Sequence, residues 1–226
     1  MKSAKLSSII ALGLLALVQS TVSCAHYIWL EQVDEQAKLY FGEYEGGLRE
    51  KTGGRLDSIA TPEAMLLVSQ ASSLTLKRGA DFIAVEGANN QPLIAHELGM
   101  KVKDMTKYNF GIAKPMYYAR IGYGKAEAAS THALDIQPLG DNKVRIYLNG
   151  KPLAKAKLKV MAPNQWLQEL DADDNGEATF NMPWAGLYVL EAIYLEPSKG
   201  SYQGDAYENI RHVSTLSVVN KSEAKK

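Results

Sequence analysis

The chain has 226 residues, of which 46% are hydrophobic and 22% are charged, a composition typical of a folded globular protein rather than a disordered or fibrous one. Its 25 basic and 25 acidic residues give a formal net charge of +0, so the electrostatic attraction that drives nucleic-acid binding is missing and we expect no nucleic-acid partner. A single cysteine excludes a disulfide framework and cysteine-rich zinc or iron–sulfur sites.

The first 25 residues have the pattern of a secretory signal peptide. Lys2 and Lys5 give a positive end, residues 9–18 form an apolar run, and residues 23–25 supply small side chains for cleavage. The apolar run is about half the ~20 residues that a helix needs to cross a bilayer, and no later segment approaches that length. These features predict a cleaved leader over 1–25 and a periplasmic or secreted protein that does not span the membrane.

Two cleavage positions are open. Cleavage after Ala25 makes His26 the first residue of the mature chain. Cleavage before Cys24 would instead give an acylated lipoprotein with His26 in third place, but residues 21–24 lack the leucine that usually stands three positions before a lipidated cysteine. We favour the His26 terminus.

The rest of the chain is predicted to be all-β. Short runs of strand-forming residues are bounded by turn residues, and no segment beyond the leader keeps helical periodicity for three turns. The predicted strands are 27–33, 38–41, 64–69, 73–76, 81–85, 115–121, 144–148, 158–160, 165–170, 187–195 and 212–218.

Two turn motifs lie in the second half. Asn149-Gly150 stands between alternating runs and predicts a type I′ hairpin, with the alternation continuing at Leu158. The acidic segment 171–176 resembles the start of a calcium loop, but its twelfth position would be Met182, where a bidentate Glu is required. We interpret this segment as a tight β-turn.

The predicted strands and a polar segment between them indicate two β-sandwich domains. The small, polar segment 122–130 is the candidate boundary, which gives an N-terminal sandwich over 26–130 and a C-terminal sandwich over 131–220. Residues 221–226 are charged and are predicted to form a flexible tail. Segment 46–54, with glycines at both ends, is predicted to be an exposed loop.

Sequence signatures of common enzymes are absent, and the histidines remain as candidates for chemistry. If the leader is cut after Ala25, His26 offers an α-amine and an imidazole that can chelate one metal ion. A second imidazole would complete a T-shaped three-nitrogen site, which suits Cu(II) best and Ni(II) next. The alternative is that His26 merely follows a cleavage site.

The other three histidines differ in their expected positions. His212 opens the last predicted strand and should point toward the core. His132 begins the first strand of the second domain, and the first and last strands of a sandwich often run side by side, so the two residues could meet; alternatively, each packs as a hydrogen-bonded core residue. His96 is interpreted as an ordinary strand or surface residue. An acidic residue near the new terminus, such as Glu31, could orient a ligand ring.

An ordered series of motifs resembles a known family. The motifs begin at Ala25-His26-Tyr27-Ile28-Trp29-Leu30-Glu31 and continue through residues 39–43, 48–51, 104–108, 114–120, 150–153, 175–176, 183–188 and 211–216. The series covers nearly the whole mature chain. It is similar to a family of exported bacterial proteins that carry a domain of unknown function and are often labelled as NikM-type periplasmic components of nickel or cobalt uptake.

This resemblance implies an exported β-sandwich protein with a transition-metal role. It supports His26, which matches the Ala-His junction at which the family begins, and His212, which matches the family's final motif. His132 matches the family more loosely. The second half also resembles transthyretin-like or immunoglobulin-like modules, so two sandwiches of that kind are expected.

We therefore predict a periplasmic protein that binds copper or nickel and takes part in metal uptake, delivery or homeostasis. His26, His132 and His212 are the candidate metal ligands, and a membrane metal transporter is the expected partner. The protein is expected not to be an enzyme. Two alternatives stay open: a metal-free structural or carrier module at the cell surface, and an oxidative enzyme with an amino-terminal copper brace.

Overall fold

The computed structural model describes residues 26–67, 72–122 and 132–221. The predicted leader with Cys24, the tail beyond residue 221 and almost all of the predicted boundary segment 122–130 lie outside these residues. The described chain is mainly β-strand, with two short 3₁₀ helices at Arg55–Ser58 and Thr106–Tyr108, and its described ranges contain no α-helix. The all-β prediction is confirmed. Within the same ranges, no helix has the length and apolar character needed to cross a bilayer.

The strands are numbered in chain order. The first nine are β1 (Tyr27–Val33), β2 (Gln36–Glu43), β3 (Leu48–Arg49), β4 (Glu63–Leu66), β5 (Thr75–Arg78), β6 (Ile83–Glu86), β7 (Leu93–Glu97), β8 (Lys103–Asp104) and β9 (Ile112–Ile121). The later strands are β10 (Leu134–Gly140), β11 (Lys143–Leu148), β12 (Lys151–Pro152), β13 (Lys157–Met161), β14 (Leu167–Asp171), β15 (Glu177–Thr179), β16 (Gly186–Tyr202) and β17 (Asp205–Asn220).

These strands form three sheets. The first sheet has the order β1-β2-β6-β5, with β3 beside β2. The middle sheet has the order β14-β13-β16-β17-β9-β7-β4, with β8 beside β9. The third sheet has the order β10-β11-β12, with β15 beside β11. Strands β9 and β17 pair in parallel, whereas the other strand pairs in the described chain are antiparallel.

Each face of the middle sheet packs on its own hydrophobic core. In the first core, Val213 packs with Leu39 of the first sheet. In the second core, on the opposite face, Leu216 packs with Ile146 of the third sheet. Successive side chains of a strand point to opposite faces of its sheet, so one strand can contribute to both cores.

The middle sheet draws strands from both predicted domains. Strands β4, β7, β8 and β9 precede residue 131, and β13, β14, β16 and β17 follow it. The parallel pairing of β9 with β17 joins the two groups, from Ala113 beside Asn209 to Ile121 beside Ser217. The two sandwich-like cores therefore share one sheet, an arrangement that patterning along the chain did not indicate.

The Asn149-Gly150 turn is present, but its returning strand is not the predicted one. Asn149 and Gly150 have φ angles of 49° and 75°, as a type I′ turn requires. The returning strand is the two-residue β12, whereas the run that contains Leu158 forms β13 in the middle sheet. Leu153 still donates its N–H to the carbonyl oxygen of Ile146 at 2.8 Å, but the N–H of Ile146 donates to the carbonyl oxygen of Gly176 at 2.9 Å, so the pairing with β12 ends there.

The acidic segment 171–176 forms the predicted tight turn. The Asp173 side chain accepts hydrogen bonds from the backbone N–H groups of Asn175 and Glu177, both at 2.8 Å. Gly176 has a φ of 73°, and a Cβ there would lie 2.8 Å from the carbonyl oxygen of Ile146. Glycine is therefore required by both the backbone conformation and the close approach.

A buried ion pair joins the middle sheet to the third sheet. In β9, Arg120 donates from Nε and Nη2 to the two carboxylate oxygens of Asp135 in β10, at 2.9 and 2.6 Å. Both side chains are almost fully buried, and Gln137 donates a further hydrogen bond to Asp135 at 2.8 Å. Because an unpaired charge is very unfavourable in such a position, each member of the pair depends on the other.

Replacing Asp135 with Asn leaves the Arg120 guanidinium buried without a counter-ion. We expect the free energy of unfolding to fall by about 3–5 kcal/mol, measured by urea denaturation at neutral pH. The matched control is Asp171→Asn, which breaks an exposed pair with Lys157 and should change the same quantity by less than about 0.5 kcal/mol. Equal losses of unfolding free energy in the two variants would contradict the conclusion that Arg120 and Asp135 form a buried ion pair.

Candidate functional site

His26 lies directly before β1, at the edge of the first core. Its ring contacts Phe41 of β2, with the ring centroids 5.2 Å apart, and its side chain is 12% exposed. Strand β1 pairs with β2 so that Tyr27 stands beside Gly42. This register brings His26 next to Glu43, the last residue of β2.

Two carboxylates contact the two ring nitrogens of His26. Glu43 Oε1 lies 3.1 Å from Nδ1, and Glu50 Oε1 lies 2.5 Å from Nε2. Glu50 follows β3, which pairs with the end of β2, and its backbone N–H donates to the carbonyl oxygen of Phe41 at 2.8 Å. Segment 46–54, predicted to be an exposed loop, therefore folds back and supplies one of the two carboxylates.

Glu31 does not contact His26, contrary to the suggestion from the sequence. It accepts hydrogen bonds from Trp29 Nε1 at 2.7 Å and from Arg49 Nη2 at 2.9 and 3.0 Å. The ring of His26 is oriented by Glu43 and Glu50, neither of which was selected from the sequence.

The other three histidines gather around Tyr118 on the opposite face of the middle sheet. His96 of β7 is the cross-strand neighbour of Tyr118, and the rings of His132 and His212 lie 4.9 and 5.9 Å from the Tyr118 ring. Tyr118 belongs to the second core, whereas Tyr117, the residue before it, belongs to the first. The middle sheet therefore separates His26 from the other histidines.

His132 and His212 come near one another, but not through the predicted pairing of first and last strands. His132 precedes β10 in the third sheet, while His212 lies in β17 of the middle sheet. His212 Nδ1 is 3.0 Å from the hydroxyl of Tyr118, and its Nε2 is 2.9 Å from Glu196. Both ring nitrogens of His212 thus have protein partners.

The ring of His96 lies 5.6 Å from the ring of His132. His96 is part of β7, in agreement with its interpretation as a strand residue. It extends the row formed by His132, Tyr118 and His212 along this face of the sheet.

The described residues contain no group of three or more His, Cys, Asp or Glu side chains arranged to hold a metal ion. The structure does not bring a second imidazole to His26, because the remaining histidines lie across the middle sheet. Any metal ion bound at His26 would have to take its further donors from the same side of the sheet, where Glu43 Oε1 lies 3.1 Å from Nδ1.

Burial lowers the pKa of two histidines of the row. His132 is 5% exposed, and burial lowers its pKa to about 3, with Asp135 opposing the shift. Burial also lowers the pKa of His212, opposed by its hydrogen bond to Glu196. The His132 ring is therefore uncharged at pH 7.

In comparisons with known proteins, no family model, no curated protein and no solved structure matches this chain. The resemblance to the NikM-type family therefore stays a prediction. The functional argument rests on the geometry around His26 and on the chemistry of its neighbours.

The neutral state of His132 makes stability depend on pH. The unfolded chain binds a proton at His132 near pH ~6.5, whereas the folded chain does so only near pH 3. Lowering the pH from about 7.5 to about 5 should therefore cost the wild type about 2 kcal/mol more than it costs His132→Gln.

Urea unfolding of both proteins at the two pH values measures this difference, and any constant effect of the substitution cancels. Equal losses would show that His132 is protonated in the folded chain.

Proposed function

We propose that the chain is exported, is cleaved after Ala25, and binds Cu(II) or Ni(II) at His26 as a periplasmic protein of metal uptake, delivery or homeostasis. A membrane metal transporter is the proposed partner. The observation that supports this most strongly is the placement of Glu43 and Glu50 at the two ring nitrogens of His26. No catalytic step on the metal is proposed.

The first element of the site is a chelate within one residue. Cleavage after Ala25 converts the backbone nitrogen of His26 from an amide into an amine. The amine and Nδ1 then close a six-membered ring with a metal ion. Both nitrogens must be deprotonated to bind, so metal binding releases protons.

Glu43 is suited to be the third donor. Two donors that bind one ion at right angles, each about 2 Å from it, are about 3 Å apart. Glu43 Oε1 is 3.1 Å from Nδ1 of His26. The carboxylate can therefore share an ion with the imidazole without a large movement of either side chain.

Glu50 is suited to orient the ring. Its Oε1 is 2.5 Å from Nε2, where it accepts the N–H of the imidazole. That hydrogen bond directs the lone pair to Nδ1, toward the amine and Glu43. Metal-binding histidines commonly donate their other N–H to a carboxylate in this way, which increases the basicity of the ligand.

The resulting donor set is two nitrogens and one carboxylate oxygen, with no thiolate. Such sets favour Cu(II), followed by Ni(II), in tetragonal geometry. A copper-brace enzyme would need a second imidazole, and the other histidines lie across the middle sheet. The geometry therefore supports binding of the ion rather than oxidative chemistry.

We also propose that each core is an immunoglobulin-like or transthyretin-like sandwich, with the middle sheet shared between them. The antiparallel pairing within the first and third sheets supports this assignment. So do the short strands and tight turns that bound them.

The metal proposal is tested with mature protein that begins at His26. We expect Cu(II) affinity, measured by competition with a chromophoric chelator, to fall at least about 100-fold in His26→Ala, because the imidazole is lost. Glu43→Gln and Glu50→Gln should each lower the affinity about tenfold or more. Intact mass of the exported protein distinguishes a His26 terminus from a lipidated Cys24.

Two controls accompany these variants. A Gly-Ser-Gly-Ser extension before His26 keeps every side chain but removes the adjacent amine, and it should weaken Cu(II) binding as much as His26→Ala. His96→Gln, on the opposite face, should leave the affinity unchanged. Equal affinity in the extended and native termini would contradict the proposal. An unchanged melting temperature with Cu, Ni, Co and Zn would favour the metal-free module.

A further inference from the structure

Arg211 is a buried cation without a hydrogen-bonded carboxylate partner among the described residues. It lies in β17 with 0% exposure, and none of its three guanidinium nitrogens makes a hydrogen bond of good geometry within the described chain. Its neighbours include the Tyr117 hydroxyl and the ring of Phe110, whose centroid lies 5.1 Å from Cζ, and neither carries a negative charge. A guanidinium is always charged and carries five N–H donors, so burying it unpaired is strongly unfavourable. On the other face of the same sheet, the equally buried Arg120 holds Asp135 through two hydrogen bonds.

Arg211 forms part of the wall of a cavity of about 350 Å³ that also reaches His26. Phe41 and Tyr117 line the inner part, and both are buried. Arg55 and Lys103 line the outer part, where the Arg55 side chain is 72% exposed. The cavity is therefore open to solvent at a basic rim and has a buried cation inside.

The three cations act on one another. Partial withdrawal of the Lys103 ammonium from water lowers its pKa, and the charges of Arg55 and Arg211 lower it further. The positive charges of Arg55, Lys103 and Arg211 repel one another, and an anion bound between them would reduce that repulsion.

The carboxylates of this region leave Arg211 without a hydrogen-bonded counter-ion. Asp104 also lines the cavity and its Oδ1 accepts the backbone N–H of Thr106 at 3.0 Å, but it makes no ion pair with Arg211. Glu43 and Glu50 contact the ring of His26. Burial raises the pKa of Glu191 to about 7, against the lowering by Lys159 and Arg211, so this carboxyl is only partly ionised at neutral pH.

We propose that this cavity binds a small organic polycarboxylate, anchored at one carboxylate by the guanidinium of Arg211 and met at its mouth by Arg55 and Lys103. A guanidinium presents parallel N–H groups that match a carboxylate in bidentate fashion. The proposal does not depend on a metal at His26, because Arg211 and its missing partner are properties of the metal-free chain.

The shape of the cavity favours an organic anion over an inorganic one. Its volume lies within the range of small-molecule sites and is several times that of a phosphate ion. Phe41, Tyr108 and Tyr117 also line it, and their rings can pack on a carbon skeleton. Cationic groups at both the inner wall and the mouth suit a ligand with at least two separated negative charges.

Citrate is the probe for the test, with the mature protein freed of metal by a chelating resin, because soluble chelators are themselves polycarboxylates. We expect citrate to raise the melting temperature and to bind measurably in calorimetry below about 10 mM. Arg211→Met, which keeps an unbranched apolar stem, should weaken binding at least about tenfold, and Lys103→Gln should weaken it less.

Three further measurements test whether citrate binds through its charges at the Arg211 cavity. Glu43→Gln, which should weaken Cu(II) binding but is not among the residues that line the cavity, should retain citrate binding, and this distinguishes the two sites. Trimethyl citrate, which lacks the charges, should not bind. If Arg211→Met does not fold, the double variant Arg55→Gln/Lys103→Gln replaces it and should weaken binding and reduce its salt dependence. Three results would each overturn the proposal. They are citrate binding that these variants do not change, no citrate binding at all, and tighter binding of inorganic phosphate than of citrate.

Discussion

Strands β9 and β17 run side by side in the same direction over nine residue pairs at the centre of the middle sheet. Parallel pairs are usually covered on both faces, and here the first and third sheets supply the two covers. Because side chains alternate, Tyr117 and Arg211 face the first core while Tyr118 and His212 face the second. A shift of β17 by one residue in this register would turn Arg211 toward the second core and His212 toward the first, and the Arg211 cavity would be lost.

Buried polar side chains are paired on one face of the middle sheet and incompletely paired on the other. Toward the third sheet, Arg120 is paired with Asp135, and both nitrogens of His212 have protein partners. Toward the first sheet, Arg211 has no hydrogen-bonded carboxylate among the described residues, and it lines an open cavity. Internally satisfied groups stabilise a fold, whereas an unsatisfied buried cation beside an opening is suited to a ligand.

Patterns over a few neighbouring residues predicted the features that depend only on those residues. The strand at 27–33, the turn at Asn149-Gly150 and the core-facing direction of His212 depend on alternation and turn chemistry, and the structure contains them. The partner of β13 and the shared sheet depend on pairing between distant segments, which alternation does not encode.

The site was only partly accessible from the sequence for the same reason. His26 follows from the cleavage pattern, but Glu43 follows from the register of the β1–β2 hairpin. That register is set by a two-residue turn at Asp34-Glu35, with φ angles of 48° and 63°, and this residue pair is not a usual signal for such a turn. Glu50 depends on a loop that folds back, for which the sequence offers no periodic signal.

Tyr27, immediately after His26, is 1% exposed, and its hydroxyl donates to the carboxylate of Glu45 and accepts the N–H of Tyr44 at 2.7 Å. A terminus at His26 would therefore be tethered within one residue of the core, and little conformational freedom would be lost when it closes on an ion. A precursor that still carries its leader would lack the amine. Under the proposed function, export itself would then act as the timing step, so that the protein acquires its capacity to bind metal only after reaching the compartment where the ion is to be captured.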